Sequence, residues 1–321
     1  MDDLKEIGFY TLSNARIEQL SPTSPLWRCE LLITDACNFK CAYCRGVKDE
    51  YKGAITTLDA INLIQMWVKQ GLKNIRFSGG EPTIHKSLVD MVKSAKRGGV
   101  EHIAISTNGS MPRKIYDTLL LAGVNDFSIS LDACCAADGD SMAGGIVGAW
   151  DKVVENIRYL SSKTYVTVGV VLTNENINRI NDIITFADSL GVADIRIISA
   201  AQFNKAPEVC ISDEILKRHP ILAYRVKNLR DNVSVRGMKE GDNHKCPLVM
   251  DDMAVVGGYH FPCIIYLREK GKPIGRVGEN MRAERIKWAQ EHDTYNDPIC
   301  RANCLDVCVS YNNTCQKLKG L

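Results

Sequence analysis

The chain has 321 residues, of which 45% are apolar and 24% charged, and its net charge is +2. That length fits one large domain, or one large and one small, and the composition is that of an ordinary globular chain. Duplex nucleic acid gripped by phosphates alone is not indicated by so small a charge. No run of about 18 apolar residues predicts a membrane span. The start, MDDLKEIGFY, lacks the basic and apolar segments of a signal peptide, so a cytoplasmic location is expected. Thirteen cysteines is a high count for such a chain, and in a reducing compartment clustered cysteines are more often metal ligands than disulfides.

The first 28 residues read as an extension. Residues 30–34 (ELLIT) then read as a short buried strand, and further strands are expected at 73–77, 102–106, 126–131, 165–172 and 194–199. Helix-period segments fall between them near 58–70, 86–97, 112–122, 149–162 and 177–190. Glycines 71, 98, 123 and 191 stand where helix C-caps belong. Six alternating units imply a parallel sheet with helices outside, curled by right-handed crossovers into a barrel or partial barrel. Beyond residue 200 the rhythm stops. Residues 213–230 look helical with a break at Pro220, 246–275 suggest a hairpin, and 281–292 look helical. The expected division is a barrel over 29–235 and a small cysteine-rich domain over 236–321, built around metal.

Directly after the first strand comes Cys37-Asn38-Phe39-Lys40-Cys41-Ala42-Tyr43-Cys44. In a parallel α/β barrel the loops that follow strands form the catalytic face. Three thiolates on a four-iron cube leave one iron open to chelate a ligand. A zinc site would ask for a fourth Cys or His nearby, and none follows within 30 residues. Ser78-Gly79-Gly80-Glu81-Pro82-Thr83 follows strand two, Ser106-Thr107-Asn108-Gly109 follows strand three, and Ser128-Ile129-Ser130-Leu131-Asp132 forms strand four and its exit. Alternation puts Ser128, Ser130 and Asp132 on one face.

The spacing C-x3-C-x-aromatic-C, with Tyr43 at the aromatic position, resembles the signature of the radical S-adenosylmethionine (SAM) superfamily. The later motifs resemble that family's segments over residues 29–200. The resemblance implies a partial (β/α)6 TIM-like barrel. It also implies a [4Fe-4S] cluster on Cys37, Cys41 and Cys44, and SAM cleaved to methionine and a 5′-deoxyadenosyl radical. For SAM it implies contacts from Tyr43, Gly79, Gly80, Glu81, Pro82, Ser106, Asn108, Ser130, Asp132 and Asn174. Glu81 would accept from the SAM ammonium. An electron donor such as flavodoxin or ferredoxin is implied as partner.

Cys246, eleven residues, Gly258, four residues and Cys263 match the opening of the SPASM and twitch extensions of part of that superfamily. Cys300, Cys304, Cys308 and Cys315 follow with spacing C-x3-C-x3-C-x6-C, which departs from the full SPASM tail. One auxiliary [4Fe-4S] cluster is expected on Cys246, Cys263, Cys300 and Cys304, with Cys308 and Cys315 as substitutes or as part of a second cluster. Structural zinc is the alternative. Cys134, Cys135 and Cys210 are candidate hydrogen-atom donors, though a free cysteine is commonly a small buried hydrophobe. Cys29 reads as packing.

The leading functional expectation is radical modification of a peptide or amino-acid-like substrate. Only 36 residues precede Cys37, too few for a leader-recognition domain, which weakens leader-guided peptide work. The second expectation is a sugar, nucleotide or nucleic-acid base, and the third a non-catalytic metal scaffold. The molybdenum cofactor cyclase has similar length, but its C-x2-C-x13-C pattern and Gly-Gly terminus are absent.

Overall fold

The computed structural model describes residues 12–201, 203 and 207–320. The first helix, α1 (Asn14–Gln19), leads into β1 (Arg28–Thr34). Five further units follow: α2 (Thr57–Lys69) and β2 (Asn74–Gly79), α3 (Leu88–Arg97) and β3 (His102–Thr107), α4 (Arg113–Ala122) and β4 (Asp126–Ser130). Then come α5 (Ala136–Met142), α6 (Ala149–Ser161) and β5 (Tyr165–Leu172), and α7 (Ile180–Ser189) and β6 (Asp194–Ser199). Helices α8 (Asp213–Arg218) and α9 (Pro220–Arg230) lead to β7 (Asp252–Val256), β8 (Tyr259–Phe261), α10 (Ile264–Arg268) and β9 (Gly275–Arg276). The chain closes with α11 (Met281–Glu291), α12 (Pro298–Asn303) and α13 (Asp306–Lys319). No helix among the described residues is long and apolar enough to cross a membrane.

The nine strands form one sheet in the order β6-β5-β4-β3-β2-β1-β7-β8-β9. Strands β1 to β6 are parallel neighbours, an unclosed barrel of the expected kind. Alternation sorts their side chains. Leu31, Ile33, Ile75, Phe77, Ile105, Phe127, Val168 and Ile197 point at the helices and join one buried core. Glu30, Arg76, Ser106 and Arg196 point the other way, into the concave face. Pro220 does not kink one helix but starts a second, as a first-turn proline does.

The residues after 235 are not a detached unit. Strand β7 pairs in parallel with β1, Arg28 opposite Asp252 and Leu31 opposite Val255, so the sheet runs on without a break. Gly257 and Gly258, at φ +56° and +79°, make the two-residue turn between β7 and β8. That turn returns the chain so that Cys263 comes back toward Cys246. The described part of the amino-terminal extension is fastened to this region. Arg16, fully buried, donates to both carboxylate oxygens of Asp251 at 3.1 and 2.6 Å and lies over the rings of Trp27 and Tyr311. Residues 1–11 lie outside the described residues.

At the far end of the sheet, Asp194 accepts from Ile221 N at 3.0 Å and Leu222 N at 3.4 Å, tying β6 to the start of α9. Burial pushes its carboxyl up to about 6 against these bonds. A raised acid favours the fold fully below its unfolded value near 3.8, and that contribution fades as pH rises through about 6. Asp194→Asn is therefore expected to flatten the stability change between pH 4 and 6 by roughly 3 kcal/mol, measured by denaturant unfolding.

Candidate active site

The loop after β1 carries Cys37, Cys41 and Cys44, with Cys37 and Cys44 exposed and Cys41 half-buried, all as free thiols. Cys44 N donates to Cys41 O at 3.0 Å, and Phe39 N donates to the Cys37 sulfur at 3.3 Å. Burial pushes the Cys41 thiol up to about 11, and Cys37 also above the usual range. A tetrahedral zinc would bring its ligand atoms to within about 4 Å of one another. Among the described residues the group of three ligand atoms within 4.8 Å is His292, Asp297 and Cys300, which holds none of these three cysteines. Three thiols from one eight-residue loop suit a four-iron cube, which can take three thiolates and leave one iron open.

The paired glycines have a steric explanation. A Cβ on Gly79 would sit 2.1 Å from Thr34 O, and one on Gly80 would sit 2.2 Å from Ala36 O. In their place Gly80 N donates to Thr34 O at 2.7 Å and Glu81 N to Ala36 O at 2.8 Å. The exit of β2 is laid directly on the base of the cysteine loop. Gly80→Ala is expected to destabilise the fold by about 1–3 kcal/mol, read by denaturant unfolding, and to lower iron content at the first cluster.

Glu81 is fully buried. Its oxygens accept from Thr83 N at 3.0 Å, Thr107 Oγ1 at 2.7 Å and Asn108 N at 2.6 Å, while burial raises its carboxyl above the ordinary range. It is enclosed by the turns it joins, rather than open to an ammonium. Pro82 is buried in the short turn that follows. Asn108 donates to Asn38 Oδ1 at 2.9 Å and lies 3.9 Å from the Cys37 sulfur, against the first cysteine of the loop. Tyr43 donates its hydroxyl to Asp132, whose other oxygen accepts from Val171 N at 2.7 Å. This clamp connects the cysteine loop to the exits of β4 and β5, and burial raises Asp132 to about 6. Ser130 is exposed at the mouth of β4. Asn174 is exposed, whereas buried Asn176 donates to Asp132 O and Val171 O at 3.0 and 2.9 Å. The asparagine that ties this loop down is Asn176, not the Asn174 that the resemblance implied as a SAM contact.

A cavity of about 300 Å³ opens between the concave face of the sheet and the carboxy-terminal residues. Cys246, Cys263, Cys300, Cys304 and Cys308 line it together. Asn312 donates to the Cys246 sulfur and Tyr266 N to that of Cys263, each at 3.4 Å. Cys315 lies elsewhere, fully buried with Tyr311 in a small apolar cluster around Leu12, Ile17 and Leu20. Seven helical residues beyond Cys308 carry it about 10 Å further along α13.

Seven arginines (28, 45, 76, 196, 225, 236 and 268) line the same cavity against two carboxylates, Glu30 and Asp252. Arg28 pairs with Asp252 at 2.6 Å, Arg225 with Asp306 at 2.6 Å, and Arg45 with Glu269. Arg236 bonds instead to Ser199 O at 2.8 Å and Asn303 O at 3.3 Å. Burial, then repulsion from Arg45, Arg225 and Arg196, pushes Arg236 down to about 10. Arg268, on α10, donates to Gly46 O at 3.0 Å and Gly79 O at 2.7 Å. It thereby joins the cysteine-rich region to both loops of the first cysteine site. Sequence reasoning missed these arginines.

Cys134, Cys135 and Cys210 do not line this cavity. Arg179 donates to the Cys134 sulfur at 2.9 Å, and Cys135 lies 3.1 Å from Asp138, beside a separate cavity of about 90 Å³. Cys210 is exposed, its N bonded to Asn181 on α7.

Residues 31–187 match the model of the radical SAM superfamily. The chain is 31% identical over 182 residues to a probable GTP 3′,8-cyclase of Saccharolobus solfataricus, covering 54% of this chain and 57% of that protein. It thus spans little more than half the length of such relatives. In fold it is similar to SuiB of Streptococcus suis bound to S-adenosylmethionine (TM-score 0.57, 14% identity, 86% of this chain and 67% of that one). It is likewise similar to native anSMEcpe with bound AdoMet (TM-score 0.58, 13% identity, 91% and 96%). The match to the family model, the motifs at the exits of the first four strands and the unclosed parallel barrel together mark residues 31–187 as a radical SAM domain.

Proposed function

We propose that this chain generates a 5′-deoxyadenosyl radical and uses it to abstract a hydrogen atom from a small anionic substrate of the nucleotide class. The cationic lining of the cavity carries this reading. Seven arginines against two carboxylates leave the lining net positive even with Arg28, Arg45 and Arg225 paired, and a guanidinium matches phosphate oxygens in a bidentate manner. The probable GTP 3′,8-cyclases among the relatives support a nucleotide over a peptide. A cavity of about 300 Å³ fits a metabolite better than an extended chain.

Cys37, Cys41 and Cys44 would hold the first cluster, which supplies the electron that breaks a C–S bond of SAM. The chain's own part is placement. Tyr43 and Asp132 fix the loop, Glu81 locks the neighbouring turns, and Ser106 and Ser130 stand at the strand exits where SAM would lie. Exposed Cys37 and Cys44 mark the side on which a flavodoxin or ferredoxin would deliver electrons. An auxiliary cluster would sit on thiols from the group of five at the cavity wall.

The test is anaerobic reconstitution with iron, sulfide, dithionite and SAM, with nucleoside triphosphates and acidic peptides supplied in parallel. Nucleotides are expected to bind and to raise 5′-deoxyadenosine formation. Stimulation by peptide alone would overturn the substrate class, and no 5′-deoxyadenosine under any condition would leave a metal scaffold. In the same assay, alanine at Cys134, Cys135 and Cys210 tests the hydrogen-donor expectation, which unchanged product yield for all three would end.

A further inference from the structure

Five thiols reach the cavity wall, one more than a [4Fe-4S] cube can use. One of them has other company. The ligand atoms of Cys300, His292 and Asp297 all lie within 4.8 Å of one another. His292 Nε2 is 3.0 Å from Asp297 Oδ2, yet this buried nitrogen makes no hydrogen bond. We propose that His292, Asp297 and Cys300 form a separate site for a single divalent ion of the zinc type, leaving Cys246, Cys263, Cys304 and Cys308 to the auxiliary cluster.

The surroundings suit an ion. Trp288 stacks on the His292 ring at 4.1 Å and 17°, which sets the direction of its nitrogen. Tyr266 donates its hydroxyl to Asp297 Oδ2 at 2.8 Å, and Asp297 Oδ1 accepts from Ile299 N and Cys300 N at 2.7 and 3.0 Å. Such outer contacts orient ligating carboxylates in known metal sites. One nitrogen, one carboxylate oxygen and one thiolate are a zinc donor set, and they leave a fourth position for water or an anionic oxygen. Cys300 and Tyr266 are also cavity residues, so that position lies at the rim of the arginine-lined space. Binding would release the Cys300 proton. The site does not depend on which substrate the cavity takes.

The experiment loads anaerobically reconstituted full-length protein with zinc, desalts it, and measures zinc and iron per chain. About one zinc is expected beside about eight irons. The zinc absorption edge should show one sulfur at about 2.3 Å and nitrogen or oxygen neighbours at about 2.0–2.2 Å. His292→Ala should weaken zinc retention more than tenfold with iron unchanged, and Cys300→Ala should lose zinc and keep its iron. Loss of about four irons from Cys300→Ala would make Cys300 a cluster ligand and overturn the proposal. So would an all-sulfur zinc shell, or zinc held equally by His292→Ala. His292 is partly exposed, so its variant keeps the test open if Cys300→Ala fails to fold.

Discussion

Replacing Cys37, Cys41 and Cys44 together by alanine is expected to bring 5′-deoxyadenosine formation to background and to remove about four irons per chain. The remaining iron should stay, because Cys246, Cys263, Cys304 and Cys308 line a cavity that Cys37, Cys41 and Cys44 do not. The loop itself should keep its path, since its base is held by Gly80 N on Thr34 O and Glu81 N on Ala36 O rather than by the thiols. Far-ultraviolet circular dichroism near that of the parent would separate lost chemistry from lost fold. Undiminished SAM cleavage in this variant, or wild-type protein holding zinc and no iron, would remove the basis of the proposed function.

The second large effect concerns Arg196 and Arg236. Arg236 stands among like charges and is anchored by backbone carbonyls, so its charge is not spent on a carboxylate. Each charged hydrogen bond to a ligand contributes about 1.5–3 kcal/mol. Arg236→Gln or Arg196→Gln is therefore expected to raise the KM for a nucleotide roughly 10–100-fold. If the contact is made equally in ground and transition states, kcat should change little. Cleavage of SAM in the absence of nucleotide should be unaltered, and added salt should weaken binding in the parent more than in the variants. An unchanged KM in both variants would place the substrate elsewhere.

The strands were legible because β-branched runs such as YVTVGVVL and DIRIIS carry both propensity and alternation. The cysteine loop was legible because all three thiols sit within eight consecutive residues. Helix α5, with sequence AADGDSM, buries none of its residues, so it gives no periodic signal and was missed. The arginine cavity escaped for another reason. Its members come from strands β1, β2 and β6, helices α9 and α10, and two loops, and only the curvature of the sheet gathers them. Cys315 shows the opposite failure. Spacing counts cysteines along a chain but cannot say that two further helical turns carry a thiol into an apolar cluster. The break expected at 235 followed from the loss of rhythm in the sequence. Backbone pairing of β7 with β1 is indifferent to rhythm and crosses that boundary.

That pairing decides how the chain could be shortened. A product ending at residue 235 would strip β7 from β1 and leave a bare row of amides and carbonyls in the middle of what had been a nine-stranded sheet. Exposed edges of this kind recruit other chains. The cysteine-rich portion thus acts as a selvedge that stops the weave from fraying into aggregates, whatever metals it carries.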